Sequence, residues 1–242
     1  MRAYSLFDVT NFPTAERFNT NLQIDHTYTV DNTSFARTGD ICGQFTAYAV
    51  QHVNQVHFRG FPYHHGEMLD EVSEKHMFEA FLHHNRDFLL IQYSRKISRE
   101  AAKRLAKLEE KTRAVGPTLD VLKLVEEFPH LYGTYFRDVQ SAGVKSSALF
   151  GADVDSSEFY KTFREMAKLS AIITEAEHAG VNHKLLITSN YGIGFYKPVD
   201  SATELTVIGK LKPTLDKYRV AVEPEKESLD DDTEEVTSPL FD

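Results

Sequence analysis

The chain has 242 residues, of which 41% are hydrophobic and 26% charged, so its composition excludes collagen-like, fibrous and wholly disordered proteins. The sequence contains no run of about 18 apolar residues and no signal-peptide pattern, which predicts a cytoplasmic protein without a membrane partner. Cys42 is the single cysteine, which excludes an internal disulfide and a thiolate metal cage.

The first third of the chain is predicted to form strands. Tyr4–Val9 and Ile24–Val30 alternate between apolar and polar residues, and Phe45–Phe58 shows the clearest period of two. This last segment predicts a long antiparallel strand or a hairpin. Residues Glu67–His84 are predicted to be a helix, and the apolar run that begins at Phe88 and ends at Ile91 is short enough for a buried strand.

Two further helices are expected before the middle of the chain. The first is a basic helix over Arg95–Arg113 that ends before Gly116-Pro117, and the second covers Leu119–Phe128 and ends before Pro129. Strands are then predicted over Tyr132–Val139 and Lys145–Leu149.

The last part of the folded chain combines a meander with two helices. Asp155-Ser-Ser-Glu158 predicts the start of a helix that ends near Ala167, and Ser201-Ala-Thr-Glu204 reads as the capping box of a final helix. Pro213 is expected to bend or shorten that helix. Three strands between the helices, separated by turn residues, are expected to form the meander: Leu169–Glu177, His183–Thr188 and Gly194–Tyr196.

These elements predict an α+β fold in which antiparallel sheets have flanking helices and the C-terminal tail is acidic and disordered. Three regions are expected: an N-terminal α+β region over residues 1–128, a meander-plus-helix region over 129–220, and the tail over 221–242. The tail holds nine acidic residues against Lys226 alone and so carries eight of the nine net negative charges.

The basic helix is the first candidate for a binding surface. Its segment has eight basic residues and three acidic ones, and Ile97, Ala101, Leu105 and Leu108 fall on one side of a helical projection. The opposite side is expected to follow a phosphate backbone or, as the alternative, simply to be solvated. The nucleic-acid-binding residues predicted here are Arg95, Lys96, Arg99, Lys103, Arg104, Lys107 and Lys111.

The acidic tail is the second candidate surface. It ends in an apolar tip, Leu240-Phe241, behind the acidic run Asp230, Asp231 and Asp232, which suits docking to a basic partner. This tail resembles the acidic C-termini of bacterial and phage single-stranded-DNA-binding proteins. The order of strands, basic helix, meander and helix resembles small accessory proteins of bacterial anti-phage systems, such as the DNA-binding subunit of the Kiwa system. That resemblance implies a role in phage defence, and no residue motif carries it.

Histidines suggest a different chemistry. Within about thirty residues lie His52, His57, His64, His65, His76, His83 and His84. On the predicted helix, His76, Glu79 and His83 form one stripe, which could hold a divalent ion in a metal-dependent hydrolase or nuclease. The spacing differs from the His-Glu-x-x-His pattern of zinc hydrolases, so no metal ligand and no cofactor is assigned.

Aromatic residues in the predicted strand after Pro129 offer another mode of nucleic-acid contact. Tyr132, Tyr135 and Phe136 lie near Arg137 and could stack bases, although core packing is the alternative. The first hypothesis is therefore a non-enzymatic accessory protein that binds nucleic acid or a nucleic-acid-processing complex. A hydrolase and a pure protein-interaction subunit are the alternatives, and the sequence leaves a homo-oligomer open.

Overall fold

A computed structural model describes residues 1–12, 27–30, 33–57, 63–64, 67–68, 71–85, 87–105, 112–141 and 143–220. These residues contain sixteen β-strands in antiparallel pairs. In chain order the strands are β1 (Arg2–Thr10), β2 (Thr27–Val30), β3 (Thr33–Ile41), β4 (Phe45–His57), β5 (Tyr63–His64), β6 (Glu67–Met68), β7 (Glu71–His83), β8 (Phe88–Gln92), β9 (Arg113–Val115), β10 (Thr118–Leu119), β11 (Gly133–Ser141), β12 (Val144–Phe150), β13 (Lys168–His178), β14 (Val181–Thr188), β15 (Gly192–Phe195) and β16 (Arg219–Val220).

The described residues also form four α-helices. These are α1 (Arg95–Leu105), α2 (Val121–Leu124), α3 (Glu158–Met166) and α4 (Ser201–Asp216). Short 3₁₀ turns follow α2 at Val125–Glu127 and precede α3 at Val154–Ser156.

One large sheet organises the molecule. Its strands follow the order β12-β11-β13-β14-β15-β1-β8-β7-β4-β3-β2, and β9 continues the edge of β1 beyond β15. The chain's first strand therefore lies at the middle of the sheet. Its sequence explains this position, because Tyr4 and Leu6 point to one face while Phe7 and Val9 point to the other, and all four are buried.

The two faces of the sheet carry different helices. On the face of Phe7 and Val9, which we call the α1 face, α1 packs through Ile97, Ala101 and Leu105. On the face of Tyr4 and Leu6, which we call the opposite face, α2, α3 and α4 complete a larger core. Helices on both faces explain why the central strands are buried on both sides, whereas α1 covers only part of its own face.

Strands from both halves of the chain share this sheet. Residues Arg2–Ser5 of β1 pair with β15, and Ser5–Asp8 pair with β8 on the other side. The small β10–β16 pair also joins the two halves. The predicted division between residues 128 and 129 thus falls in a chain whose two parts form one continuous sheet, and separate domains there remain a prediction.

The α+β fold with an antiparallel sheet and flanking helices is as predicted. Of the expected strands, β1, β4, β8 and β11–β15 are confirmed, and β4 is one strand rather than a hairpin. The described part of the predicted strand over Ile24–Val30 is β2. The tail over 221–242 lies outside the described residues.

The predicted helix over Glu67–His84 is wrong. Residues Glu71–His83 instead form β7, which pairs with β4 along its whole length. The apolar residues of this segment fit both the strand period of two and the helix period of about 3.6. Phe78, Ala80 and Leu82 would share one face of a strand, while Phe78, Phe81 and Leu82 would share one face of a helix. Thirteen cross-strand pairs with β4 override the helical preference of the segment.

Helix boundaries also differ from expectation. Arg113 belongs to β9, so the basic helix does not reach it, and the described part of that helix ends at Leu105. The helix predicted from Leu119 begins at Val121, because Leu119 pairs in β10. The final helix is capped by Asp200, whose carboxylate accepts from the Thr203 backbone N–H, and it continues through Pro213 to Asp216.

Candidate nucleic-acid interface

Helix α1 presents a basic outer surface because of its amphipathic sequence. Ile97, Ala101 and Leu105 are buried against the sheet, as predicted, and Ser98 and Ala102 join them. Lys96, Arg99 and Lys103 are exposed, and Arg104 is half-buried. The only acidic residue in α1 is Glu100, which lies 3.4 Å from the Lys103 ammonium. The helix therefore presents a net positive surface to solvent.

The first turn of α1 adds to this positive potential. It carries Arg95 and Lys96 and no acidic residue, although a helix N-terminus favours negative charge. Basic residues here raise the electrostatic cost of the folded state by a few tenths of a kcal/mol, as an order of magnitude for exposed charges. A positive helix end with two added cations attracts anions.

Arg95 occupies a different environment from the rest of the predicted set. Its guanidinium carbon lies 5.0 Å from the centre of the Phe7 ring, and its buried Nη1 has no hydrogen-bond partner among the described residues. A Cβ at Gly116 would lie 2.7 Å from Nη2, so glycine makes room for the arginine. Burial lowers the pKa of Arg95, and the neighbouring Arg99 lowers it further. The sequence did not predict this burial.

Lys107 and Lys111 of the predicted binding set lie outside the described residues, as do Leu108 and the five docking residues of the tail. The described basic face therefore consists of Lys96, Arg99 and Lys103, with Arg95 and Arg104 at its borders.

The histidine stripe does not exist, because β7 is a strand. Alternate residues of a strand point to opposite faces, so His76 lies on the α1 face while Glu79 and His83 lie on the opposite face. His83 Nδ1 instead lies 2.9 Å from the Asp87 carboxylate. Among the described residues, no three His, Cys, Asp or Glu side chains come close enough to hold a metal ion.

His52 and His76 form the one close histidine pair in the described chain. They are direct cross-strand partners on β4 and β7, and their rings stack with centres 6.4 Å apart. His52 Nδ1 lies 2.7 Å from the Thr33 hydroxyl, and His76 Nδ1 lies 3.2 Å from the Tyr93 hydroxyl. Burial lowers the pKa of His52, with a smaller effect from His76 and Arg104. His52 is the buried member of this pair, whereas His76 is half-buried and its Nε2 lies 3.6 Å from the Glu74 carboxylate.

The predicted base-stacking aromatics do not share one face. Phe136 is buried in the core of the opposite face, where it stacks on Phe163. Tyr135 points to the α1 face and makes an edge contact with Phe150, whose ring centre is 5.6 Å away. Tyr132 lies beneath the Lys184 ammonium at 4.1 Å.

Sequence reasoning missed Phe150 and Tyr196, the two most exposed aromatics near Tyr135. A signal for the strand face was available, because adjacent residues such as Tyr135 and Phe136 must point to opposite sides of a strand. No local signal could identify Tyr196, since its neighbourhood depends on how β15 and β11 are placed in the sheet.

Comparison with protein families and with curated proteins finds no family or relative that matches the chain. Within the part of the chain that the structure describes, no helix is both long enough and apolar enough to cross a membrane.

Proposed function

We propose that the protein is a non-enzymatic, cytoplasmic accessory protein that binds nucleic acid, or a nucleic-acid-processing complex, through the outer face of α1. The observation that supports this proposal is the row of exposed cations on a helix whose other side is buried. Arg99 and Lys103 are one turn apart, about 6 Å along the axis, which suits successive contacts to a phosphate backbone. A role in phage defence remains a prediction that rests on the resemblance of element order.

The test is a binding titration at several salt concentrations. Each phosphate contact releases condensed counterions, so log affinity for a DNA duplex should fall against log salt with a slope of about −0.9 per contact. Changing Lys96, Arg99 and Lys103 together to Glu should abolish binding at about 50 mM salt, measured by fluorescence anisotropy with a labelled duplex and a labelled single strand. The fold should persist, because none of the three side chains is buried.

A matched control uses three exposed lysines on the opposite side of the sheet. Changing Lys123, Lys161 and Lys210 to Glu alters the net charge by the same amount on α2, α3 and α4. This control should retain most of the affinity. Equal loss in both triple variants, or no binding by the wild type at low salt, would contradict the proposal.

The acidic tail enters the proposal as a competitor for the same face. A chain that ends at Val220 should bind nucleic acid more tightly than the full chain, because it lacks eight net negative charges. The difference should shrink as added salt shortens the Debye length to about 8 Å at 0.15 M. A tail that docks only to a partner protein would leave the two affinities equal.

The alternative hypotheses predict different outcomes. A metal-dependent hydrolase would hold zinc, manganese or nickel in stoichiometric amounts, which elemental analysis of the purified protein measures directly. A pure protein-interaction subunit would bind no nucleic acid at any salt concentration.

A further inference from the structure

Half of the α1 face carries no described helix. Ile173 and Ala171 of β13 point to this side and are 3% and 6% exposed, yet they belong to neither of the two cores that the helices complete. Side chains of the sheet itself cover them. We call this surface, formed by β11–β15 on the α1 face, the open face.

Three aromatic side chains lie on the open face. Phe150 is 65% exposed and Tyr196 is 37% exposed, while Tyr135 between them is half-buried. Burial, together with the nearby Tyr135 side chain, raises the pKa of Tyr196 to about 12. Since β13 and β14 separate the strands of these two tyrosines, both side chains reach across the sheet and lie over it.

Gly133 leaves room for the neighbouring side chains on this face of the sheet. Phe150 is the direct cross-strand partner of Gly133. A Cβ at Gly133 would lie 2.6 Å from Ile173 Cδ1 and 3.1 Å from Phe150 Cδ1, so a larger residue would displace the aromatic ring. Gly192 and Gly194 on β15 carry no side chain on this face, and the Thr188 and Met1 side chains lie beside them. Exposed rings therefore lie on a sheet surface that no described helix covers.

Two cations lie side by side on the open face. Arg137 and Lys168 are direct cross-strand partners, and like charges in that position destabilise a sheet. Neither forms an ion pair within the described residues, and the buried Nε of Arg137 has no hydrogen-bond partner there. An anion at this edge would relieve both the repulsion and the unsatisfied donor.

The third cation, Lys184, has an aromatic ring and a carboxylate beside it. Lys184 lies over the Tyr132 ring and faces Glu175 across β13 and β14. Glu175 also lies close to the Tyr132 side chain and accepts a hydrogen bond from the Asn182 side-chain amide. Lys184 therefore contributes a cation above an aromatic ring to this side of the open face.

The basic helix borders the same surface. Arg95 at the start of α1 lies over Phe7 of β1, and two residues earlier in β1, Ser5 pairs with Gly192 of β15. The cations of α1 and the aromatic rings of the open face are therefore on one side of the sheet. Tyr196 follows β15, the neighbour of β1, whereas Phe150 on β12 lies five strands from β1.

We propose that the open face binds single-stranded nucleic acid, with unpaired bases stacked on Phe150, Tyr135 and Tyr196 and phosphates along Arg137, Lys168 and α1. This inference rests on the proposed function and specifies its substrate. Proteins that bind single strands without sequence preference combine cations, which contact the phosphates, with aromatic side chains on which the bases stack. Any base can stack in this way, because every base has a π face. A duplex keeps its bases stacked internally and offers the open face only phosphates. Arg137 and Lys168, which form no ion pair within the described residues, favour a polyanion over an apolar protein segment.

The test compares three labelled probes of equal length: a 20-nucleotide oligothymidine, its duplex with oligoadenine, and an abasic strand that has the phosphates without bases. The wild type should bind the single strand at least about tenfold more tightly than the abasic strand at equal salt, because stacking contributes about 1–3 kcal/mol per base. The abasic and duplex probes should still respond to the triple change in α1.

The chain offers a matched pair of variants. Phe150→Leu and Phe159→Leu each remove one ring that is largely exposed, at 65% on the open face and 71% on α3. We expect Phe150→Leu to weaken single-strand binding about fivefold or more, and to leave abasic binding unchanged. Phe159→Leu should change neither. Melting curves should match for all three proteins, because both rings are mainly in solvent.

Each other outcome overturns the inference in a distinguishable way. If the wild type binds the single strand, duplex and abasic probes equally and Phe150→Leu has no effect, stacking is excluded while the proposed function stands. If the wild type binds no probe at low salt, both fail. If Phe150→Leu instead dissolves an oligomer measured by light scattering, the open face contacts a second copy of the chain.

Discussion

At the scale of single residues, His52 shows how burial determines a charge state. The residue is 2% exposed, and its Nε2 has no hydrogen-bond partner among the described residues. His76 stacks on it and Arg104 is close enough to influence its pKa, so a proton on His52 would be repelled as well as desolvated. A neutral imidazole is therefore the state that the folded core accepts.

This environment predicts a dependence of stability on pH. The pKa of His52 is lowered in the folded state, so between that lowered value and the ordinary histidine pKa of about 6.5 the unfolded chain binds more protons. The contribution of the neutral His52 imidazole to the free energy of unfolding is therefore fully present above about pH 6.5. It is lost as the pH falls toward the pKa that His52 has in the folded protein. We expect His52→Gln to be less stable than the wild type at pH 8, with a gap in melting temperature that narrows toward pH 5.5.

The control for this experiment is Asn85→Gln, because Asn85 is exposed and has no titratable group. Its gap to the wild type should stay nearly constant over the same pH range. A gap for His52→Gln that is independent of pH would show that the imidazole is not held neutral by the fold.

At the scale of secondary structure elements, α1 packs on the sheet partly through small residues. Ala101 and Ala102 are 0% and 1% exposed and belong to the core on the α1 face. Ala101→Leu keeps a strong helix former while adding volume to a packed interface. We expect it to destabilise the fold by about 1–3 kcal/mol in urea denaturation.

Lys103→Leu places the same side chain two positions later on the exposed side of α1. That variant should stay within about 0.5 kcal/mol of the wild type. Equal stabilities for the two leucine variants would mean that α1 does not pack through Ala101.

Elements whose apolar residues repeat with a single clear period, either that of a strand or that of a helix, could be predicted from the sequence. The meander β13–β15 and the buried strand β8 are bounded by turn residues, and α1 separates a clear apolar side from a basic one. The segment of β7 could not be assigned, because its apolar residues satisfy both periods and only its pairing with β4 decides. Of the candidate interface, the exposed cations of α1 followed from periodicity.

The open face could be identified only from the strand order and pairing of the sheet. Phe150 and Tyr135 are neighbours through the β11–β12 register, and Tyr196 reaches them across two intervening strands. Arg137 and Lys168 are likewise far apart in the chain and face each other only through the pairing of β11 with β13. Local patterns contain no information about such pairings.

At the scale of the whole molecule, hydrogen bonds and ion pairs connect β1 with residues from the second half of the chain. Glu204 of α4 is fully buried, and its carboxylate accepts from the Tyr4 hydroxyl at 2.6 Å, the Arg2 guanidinium at 3.2 Å and the Val199 backbone N–H at 2.9 Å. Burial and this carboxylate together raise the pKa of Tyr4. Arg219 binds Asp8 in a second contact between the chain's two ends.

These contacts and the shared sheet predict one cooperative unfolding transition. Glu204→Leu leaves the Tyr4 hydroxyl and the Val199 N–H without their partner, and we expect a loss of about 3 kcal/mol in the free energy of unfolding. Because β1 belongs to both halves, calorimetry should still show a single transition whose van't Hoff and calorimetric enthalpies agree. Two separated transitions in the wild type would instead support independent domains divided near residue 128.

The central position of β1 has a consequence for how the protein is made. The ribosome synthesises β1 before both of these neighbours, since β8 begins at Phe88 and β15 includes Phe195, which pairs with Arg2. At about 5–20 residues per second, roughly 10–40 seconds pass between the synthesis of β1 and that of β15. Until β8 is made, both edges of this apolar strand lack these partners, and one edge still lacks β15 afterwards, so refolding should be slow and nascent chains should be substrates for chaperones.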